Sequence, residues 1–382
     1  MNTCDVLIVG GGIIGGSIAF ELACRKLNVV VLDRQQPGQE ASWAAAGMLS
    51  PAPDTPAAIP LVPLARASLA LYPQFISAVE EASGFETGYR AEGTLEALFH
   101  GDAERELSTL VALHHGLGLA CEPLPLEEAR EMEPMLGREM NAAAFLPDEA
   151  SVDNRALTSA VLAAAQAAGV TLRAGAEVAS LLRDGASCVG VKTSAGEAIS
   201  APRVVLAAGC WSALLPEAAQ FAPTLPVRGQ MIALRHTGKT IRRVLRSAYV
   251  YLVPRDDGRP QKIVAGSTLE NAGYEKRVTS GGLGKILSAV NELAPGLADA
   301  EVVETWCGLR PGTPDQLPIL GPTEIEGLVI ATGHYRNGIL LAPVTAKLIA
   351  EWIVERRTSL DWTRFSPLRF GRSGSGRVAT AP

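Results

Sequence analysis

The sequence predicts an α/β protein in which a parallel-sheet domain is interrupted by a β-rich one. Three observations carry that expectation. A strand, a glycine turn, a helix and a second strand occupy the first 33 residues. The strand–glycine pattern returns at Val204 to Gly209 and again at Leu328 to Gly333, more than three hundred residues after the first. Between these, residues 226–270 show short apolar runs that alternate and turn back, as antiparallel hairpins do.

Residues 5–9 (DVLIV) read as the first strand. The turn that follows fits G-x-G-x-x-G with strand before and helix after. Gly10 allows the turn, Gly12 lets backbone approach a pyrophosphate, and Gly15 lets helix and strand pack closely. A helix is expected over 17–25. Its N-terminus, around Ile13 and Ile14, offers free N–H groups and partial positive charge to phosphates. The second strand, 29–32, ends at Asp33, placed to accept hydrogen bonds from a ribose; Arg34 follows it. An ordinary strand–turn–helix would also use glycines for packing, but it leaves Asp33 unexplained. The first domain therefore reads as Rossmann-like and dinucleotide-binding.

Residues 34–40 form a loop. Small residues at 41–49, among them Ser42, Ala46 and Gly47, would let a helix or turn lie against a flat ligand. Residues 50–63 carry five prolines and read as a loop, either an active-site lid or an inert connection. An amphipathic helix is expected over 64–82, a strand over 93–99, helices over 104–116 and 126–133, and extended chain at 142–145. Asp153 or Asn154 caps a helix over 155–168, which stops at Gly169. A strand at 170–173 leads through Val178 to a hairpin at 187–200. The run 204–208 then ends at Gly209, just before a polar cap at Ser212. In the β-rich stretch, 249–253 alternates, turns through Asp256, Asp257 and Gly258, and returns over 262–269. A helix over 283–293 and a strand over 301–307 come next. Residues 308–315 lie between strands. The strand 328–331 runs into residues 332–338 and an apolar helix over 339–354. Residues 371–382 are Gly/Ser-rich and expected to be disordered. These elements divide into a discontinuous nucleotide domain (1–85, 145–220 and 305–365) and a substrate domain (86–144 and 221–304).

A chain of 382 residues suits two domains, and 47% hydrophobic against 19% charged residues supplies a large core. The net charge of −6, without a basic run, argues against nucleic acid. Six scattered cysteines include no C-x-x-C pair and no metal spacing with the histidines, which suggests free thiols and a cytoplasmic protein. The N-terminus shows no signal-peptide pattern, and no apolar run reaches the ~18–20 residues of a membrane span.

The last strand–glycine–helix junction could aim a helix N-terminus at an anionic part of the ligand. A reduced flavin carries such charge, so this junction favours FAD over NAD. Arg310 and Arg336 could grip a carboxylate bidentately, or could be surface ion pairs. Tyr249 and Tyr251 fall on the same face of one strand, where either hydroxyl could close a pocket or simply pack. His334 could be a catalytic base, though a loop histidine contacting backbone is the plainer reading. No Ser/His/Asp set, paired-carboxylate signature or metal cluster is legible, so a cofactor must carry the hard chemistry of any enzyme built this way.

Taken together, the blocks resemble the FAD-dependent amine oxidases of the D-amino acid oxidase and sarcosine oxidase family, nearest to its glycine oxidase branch of thiamine biosynthesis. The resemblance reaches to about residue 357. It rests on the glycine-rich unit, on 44–49 (AAAGML), 227–230 (VRGQ), 251–255 (YLVPR), 308–313 (GLRPGT) and 333–343 (GHYRNGILLAP). It implies that Arg310 grips the substrate carboxylate with Tyr251 assisting, that Arg336 lies at the flavin and substrate end, and that Met48 lines the pocket. It implies that Val178 meets the adenine through its backbone, and that residues 334–340 (His334, Tyr335, Arg336, Asn337, Gly338, Ile339 and Leu340) meet the flavin. Asp33 stands where the family more often has Glu. Tyr249 and Leu269 also depart from the pattern and bear on amine preference. A cousin links its flavin to a cysteine near Cys307, but loop length differs, so FAD is expected to be non-covalent. The implied reaction is oxidative deamination of glycine, sarcosine or small D-amino acids, with O2 reduced to H2O2, by a homotetramer. The alternatives kept open are a D-amino acid dehydrogenase feeding a quinone, a tRNA-modifying flavin oxidase, and a silent flavin-binding subunit.

Overall fold

The computed structural model describes residues 3–99, 101–238, 240–255, 258 and 260–370. Its architecture is α/β, built on two large sheets. The first has six strands in the order Ile319–Pro322 (β18), Leu328–Thr332 (β19), Val204–Leu206 (β12), Val6–Val9 (β1), Val29–Leu32 (β2) and Thr171–Arg173 (β8). All neighbours are parallel except β18, which pairs antiparallel with β19. The VLIV of β1 and VVL of β12 are buried on both faces, which is why they read as unbroken apolar runs. Alternate residues of β1 serve two layers. Val6 and Ile8 pack on the helices Ile13–Cys24 (α1), Val62–Ser83 (α3), Asn154–Ala167 (α6) and Gly338–Glu355 (α8), while Leu7 and Val9 pack on a smaller sheet of Val178–Asp184 (β9), Ser187–Thr193 (β10) and Ala198–Ser200 (β11).

The second large sheet has eight strands: Glu301–Gly312 (β17), Leu225–His236 (β13), Gln261–Gly266 (β16), Tyr251–Pro254 (β15), Val244–Arg246 (β14), Thr94–Leu98 (β4), Ala142–Leu146 (β6) and Glu122–Leu124 (β5). The helix Ser280–Leu293 (α7) covers its core, with Ile286, Val290 and Leu293 against Ile232, Leu234 and Ile263. Ala103–Gly116 (α4) and Leu126–Met132 (α5) flank the β4–β6 end. Two short pieces, Ala41–Ala44 (α2) and the pair Met48–Leu49 (β3) with Ala150–Ser151 (β7), lie between the large sheets and the helices.

Several expectations are corrected. Residues 305–312 continue β17 rather than lying between strands, because pairing with β13 runs from Arg235↔Glu301 to Leu225↔Gly312, with one register shift between Ala233 and Leu234. Sheet membership thus crosses the boundaries placed at 144/145 and 304/305. The hairpin at 187–200 gains a third strand, β9. After β12 the chain makes a 3-10 turn, Gly209–Leu214, not an α-helix, and Ser212 caps nothing: its hydroxyl donates to Thr332 Oγ1 at 2.9 Å. Tyr249 precedes β15 in a bend, so it shares no strand face with Tyr251. The expected turn at Asp256 and Asp257 and the tail 371–382 lie outside the described residues.

The proline-rich segment is also different from a plain loop. Pro56–Leu61 is 3-10 helix and runs straight into α3, and the stretch 56–83 is long and apolar enough to cross a membrane by length and composition. It is built into the fold instead. Ser68 Oγ and Tyr72 Oη donate to the carbonyls of Leu340 and Ile339 in α8, at 2.6 Å each.

Candidate active site

The carboxyl ends of β1, β2, β12 and β19 open into a cavity of about 560 Å³, whose opposite wall is the face of β13, β14, β15 and β17. One end is the glycine turn. Gly10 has φ +105°, and a Cβ there would stand 2.5 Å from the Ala207 carbonyl; a Cβ on Gly15 would stand 1.9 Å from the Gly10 carbonyl. Both positions therefore require glycine, and the turn can pass close under a ligand. Ser42 Oγ accepts from Ile13 N at 2.9 Å, which sets a hydroxyl at the mouth of α1. Asp33 accepts from Gly11 N (2.8 Å) and Gln35 N (2.9 Å), so its carboxylate is fixed beside the turn. Burial pushes its carboxyl up, and the two N–H donors and Arg34 pull it back. Val178, at the start of β9, closes this end.

The far end is the N-terminus of α8. Gly333 has φ +73° and a Cβ there would meet Thr313 at 2.5 Å, while Tyr335 N donates to Pro311 O at 2.9 Å, so the loop 333–337 is tied to the end of β17. No side chain caps this eighteen-residue helix, leaving its first N–H groups directed to the cavity end. His334 is buried, its Nε2 hydrogen-bonded to Thr345 Oγ1 at 3.1 Å, and burial drops its pKa to about 3. With its basicity lowered that far and Nε2 engaged, the imidazole is a poor general base.

The wall between these ends holds the charge. Arg310 projects from β17 across Gly229 of β13, and a Cβ on Gly229 would come within 2.1 Å of Nη1. Its Nη1 donates to Thr268 O (3.2 Å) and its Nη2 to Ser267 Oγ (2.6 Å), leaving further guanidinium N–H groups for a ligand. Tyr251 Oη donates to Met231 Sδ at 3.3 Å, a weak bond that a better acceptor can replace. Arg336, about a third exposed, pairs with Asp54 at 3.3 Å. Met48 lines the same space.

All residues expected at the site line this cavity except three. Gly15 lies beneath the turn, in its packing role. Leu340 is buried in the helix layer. Tyr249 is 63% exposed and outside the cavity lining. Leu269, another departure from the family pattern, is likewise 63% exposed and outside it. Arg246, Met231, Glu40, Asp54 and Trp211, none of them expected at the site from the sequence, also line it. Arg34 Cζ sits 3.8 Å above the Trp211 ring and its Nη2 pairs with Glu40 at 2.8 Å, making one wall near Asp33. Trp211 follows Gly209 in sequence, and that adjacency was the available signal.

The cavity thus joins two helix N-termini, the fixed Asp33 carboxylate and the Arg310 guanidinium, a donor set that fits FAD. Fold and site define a dinucleotide-dependent flavoprotein. The model of the FAD dependent oxidoreductase family (DAO) matches residues 5–352, and the chain belongs to that family. It is 39% identical over 377 residues to the bifunctional protein ThiO/ThiG of Synechocystis sp., covering 97% of this chain but 54% of that protein. The chain therefore spans about half the length of that relative. It is 36% identical to the glycine oxidase of Pseudomonas aeruginosa over 95% of this chain and 98% of that one. The crystal structure of glycine oxidase from Geobacillus kaustophilus matches with a TM-score of 0.91 at 33% identity, over 97% of this chain and 99% of that one.

Proposed function

We propose that the chain is an FAD-dependent oxidase of glycine and related small amines, among them sarcosine and small D-amino acids. The observation that carries this reading is Arg310, held over Gly229 in the wall of a cavity that continues to the N-terminus of α8. The division of labour we propose gives FAD to the six-stranded sheet and substrate to the eight-stranded one, with β6 and β17 counted in the latter. Asp33 holds the adenosine ribose, Gly10 to Ile14 and Ser42 the pyrophosphate, and residues 333–339 the flavin. Bound FAD supplies a two-electron oxidation of the amine with dioxygen as final acceptor. The balance is glycine + H2O + O2 → glyoxylate + NH3 + H2O2.

The chain's own residues orient and neutralise. Arg310 binds the substrate carboxylate through its remaining N–H groups, and such charge-assisted bonds contribute ~1.5–3 kcal/mol each. Tyr251 turns its hydroxyl from Met231 to that carboxylate. Arg336 stands at the flavin and substrate end, its pairing with Asp54 tying it to the segment before α3. The reaction asks for no side-chain base at Cα: His334 is only weakly basic and hydrogen-bonded to Thr345, and the amine reacts in its neutral form, whose lone pair releases electron density. Cys307 alternates with Trp306 and Gly308 along β17, which directs it away from the face that carries Arg310 and supports non-covalent FAD. Six free cysteines support a reducing, cytoplasmic setting. Service to thiamine biosynthesis, and assembly as a homotetramer, follow the family resemblance and the relative named ThiO/ThiG.

The test is a peroxide-coupled assay with glycine, sarcosine, D-alanine and D-proline on wild type and Arg310→Ala. Wild type is expected to release peroxide. The variant should stay yellow and lose at least about a hundredfold in kcat/KM, in keeping with two lost charge-assisted bonds. Turnover that needs a quinone and yields no peroxide favours the dehydrogenase instead.

A further inference from the structure

The register of the eight-stranded sheet places five residues in one row across neighbouring strands. Met231 of β13 stands opposite Gly266 of β16, Gly266 opposite Tyr251 of β15, Tyr251 opposite Arg246 of β14, and Arg246 opposite Glu96 of β4. Paired residues put their side chains on the same face, and Met231, Tyr251 and Arg246 all line the cavity. The Arg310 guanidinium rests against Ser267 and Thr268, just past β16. Arg246 is two strands further on, about 10 Å at the usual strand spacing. A second arginine at that distance would be an anchor for the far carboxylate of a small dicarboxylic amine.

The structure denies it that role. Arg246 Nε donates to the Glu96 carboxylate, Nη1 to Glu149 Oε2 (3.2 Å) and Ser50 Oγ (3.3 Å), and Nη2 to Glu149 Oε1 (3.4 Å). Ser50 Oγ in turn donates to Glu149 Oε1 at 2.5 Å. Every nitrogen of the guanidinium is engaged, and two carboxylates face one cation. Glu149 is 3% exposed and Arg246 19%, so solvent screens this group little. Among the described residues lining this side of the cavity, Asp54 and Arg336 pair with each other. This end of the pocket is therefore net anionic.

We propose that Glu149 and Glu96 set the substrate range by masking Arg246, so that the pocket takes amino acids with an uncharged N- or Cα-substituent and rejects those bearing a second carboxylate. The inference rests on the amino acid oxidase reading and narrows its substrate class. Glycine, sarcosine and D-alanine bring one carboxylate, which Arg310 takes, and no charge to the masked end.

The experiment uses FAD-loaded wild type, Glu149→Gln and Glu96→Gln, each checked for an unchanged melting temperature. The kcat/KM for iminodiacetate, which is glycine carrying an N-carboxymethyl group, is compared with that for sarcosine. In parallel, two unreactive oxygen isosteres, diglycolate and methoxyacetate, are titrated against the spectrum of bound FAD. Wild type is expected to prefer the monocarboxylate in both comparisons. Each Glu→Gln change should move both ratios toward the dicarboxylate by about tenfold or more, and adding Arg246→Met to Glu149→Gln should cancel the gain. Ratios within about twofold of wild type, a gain that survives loss of Arg246, or failure of every form to bind either isostere would overturn the proposal. A shift in isostere binding without oxidation of any amino acid would support the masking and sink the oxidase reading, so the two failures are distinct.

Discussion

Arg310 can cross β13 because Gly229 has no side chain. That single absence sets the position of the guanidinium, since a methyl group there would overlap Nη1. Gly229→Ala should therefore displace the carboxylate grip and lower kcat/KM by about 10–100-fold, mostly through KM, with FAD still bound. Steady-state kinetics with glycine checks this. His334 gives a second prediction at the same scale. Its pKa falls from 6.5 to about 3 on burial, so the unfolded chain takes up a proton below about pH 6.5 that the folded chain refuses. Its contribution to stability is complete above pH 6.5 and is lost as pH falls toward 3. Melting temperature should drop less steeply between pH 7 and pH 4.5 in His334→Gln than in wild type. Arg310 and His334 were both visible in the sequence, Arg310 as a possible carboxylate grip, but what holds each of them was not. The glycine beneath the arginine is eighty-one residues away, and the Thr345 partner of His334 lies eleven residues later, inside α8. Arg246 was not legible at all, because only strand register places it opposite Tyr251.

At the scale of elements, the glycine turn and the α8 N-terminus were legible because each has a local cause. The turn needs residues without Cβ, and the helix follows an apolar strand. Gly10→Ala would force a Cβ to within 2.5 Å of the Ala207 carbonyl at φ +105°. It should raise the Kd for FAD by about tenfold or more, read by flavin fluorescence quenching, with far-UV circular dichroism nearly unchanged. What failed to show in sequence was continuation. The strand β17 runs through Pro311 and Gly312 to its end, although proline and glycine usually mark a break. It can do so because β17 is an edge strand: its only neighbour in the sheet is β13, so a residue without N–H costs no second ladder. In the same way, Pro56 and Pro63 disguised a helical approach to α3, since proline is tolerated in a first turn.

Across the whole molecule, the two sheets are joined by polar contacts around the cavity. Arg255, just past β15, is buried and donates to Ala46 O (2.8 Å) and Asn154 Oδ1 (2.9 Å), with Asp153 at 3.4 Å. Trp306 Nε1 donates to Ala44 O at 3.0 Å, and Arg155 pairs with both oxygens of Glu304 at 3.0 and 2.8 Å. These links bind β15 and β17 to the segment 44–46 and to α6. Arg255→Met should lower unfolding free energy by ~3–5 kcal/mol, since it strands the partners of a buried cation, and should weaken FAD binding with it. Denaturant titration followed by protein and flavin signals reads both. No such link could be anticipated from sequence, since its partners stand about a hundred and two hundred residues apart.

The α8 N-terminus begins at Gly338, whereas the turn it faces across the cavity begins at Gly10. A nascent chain emerging from the ribosome presents the fingerprint early, but it lacks the opposite end of the cavity until residue 338 has been made. The cavity is complete only when both segments are in place, so two stretches far apart in the chain answer jointly for a single site.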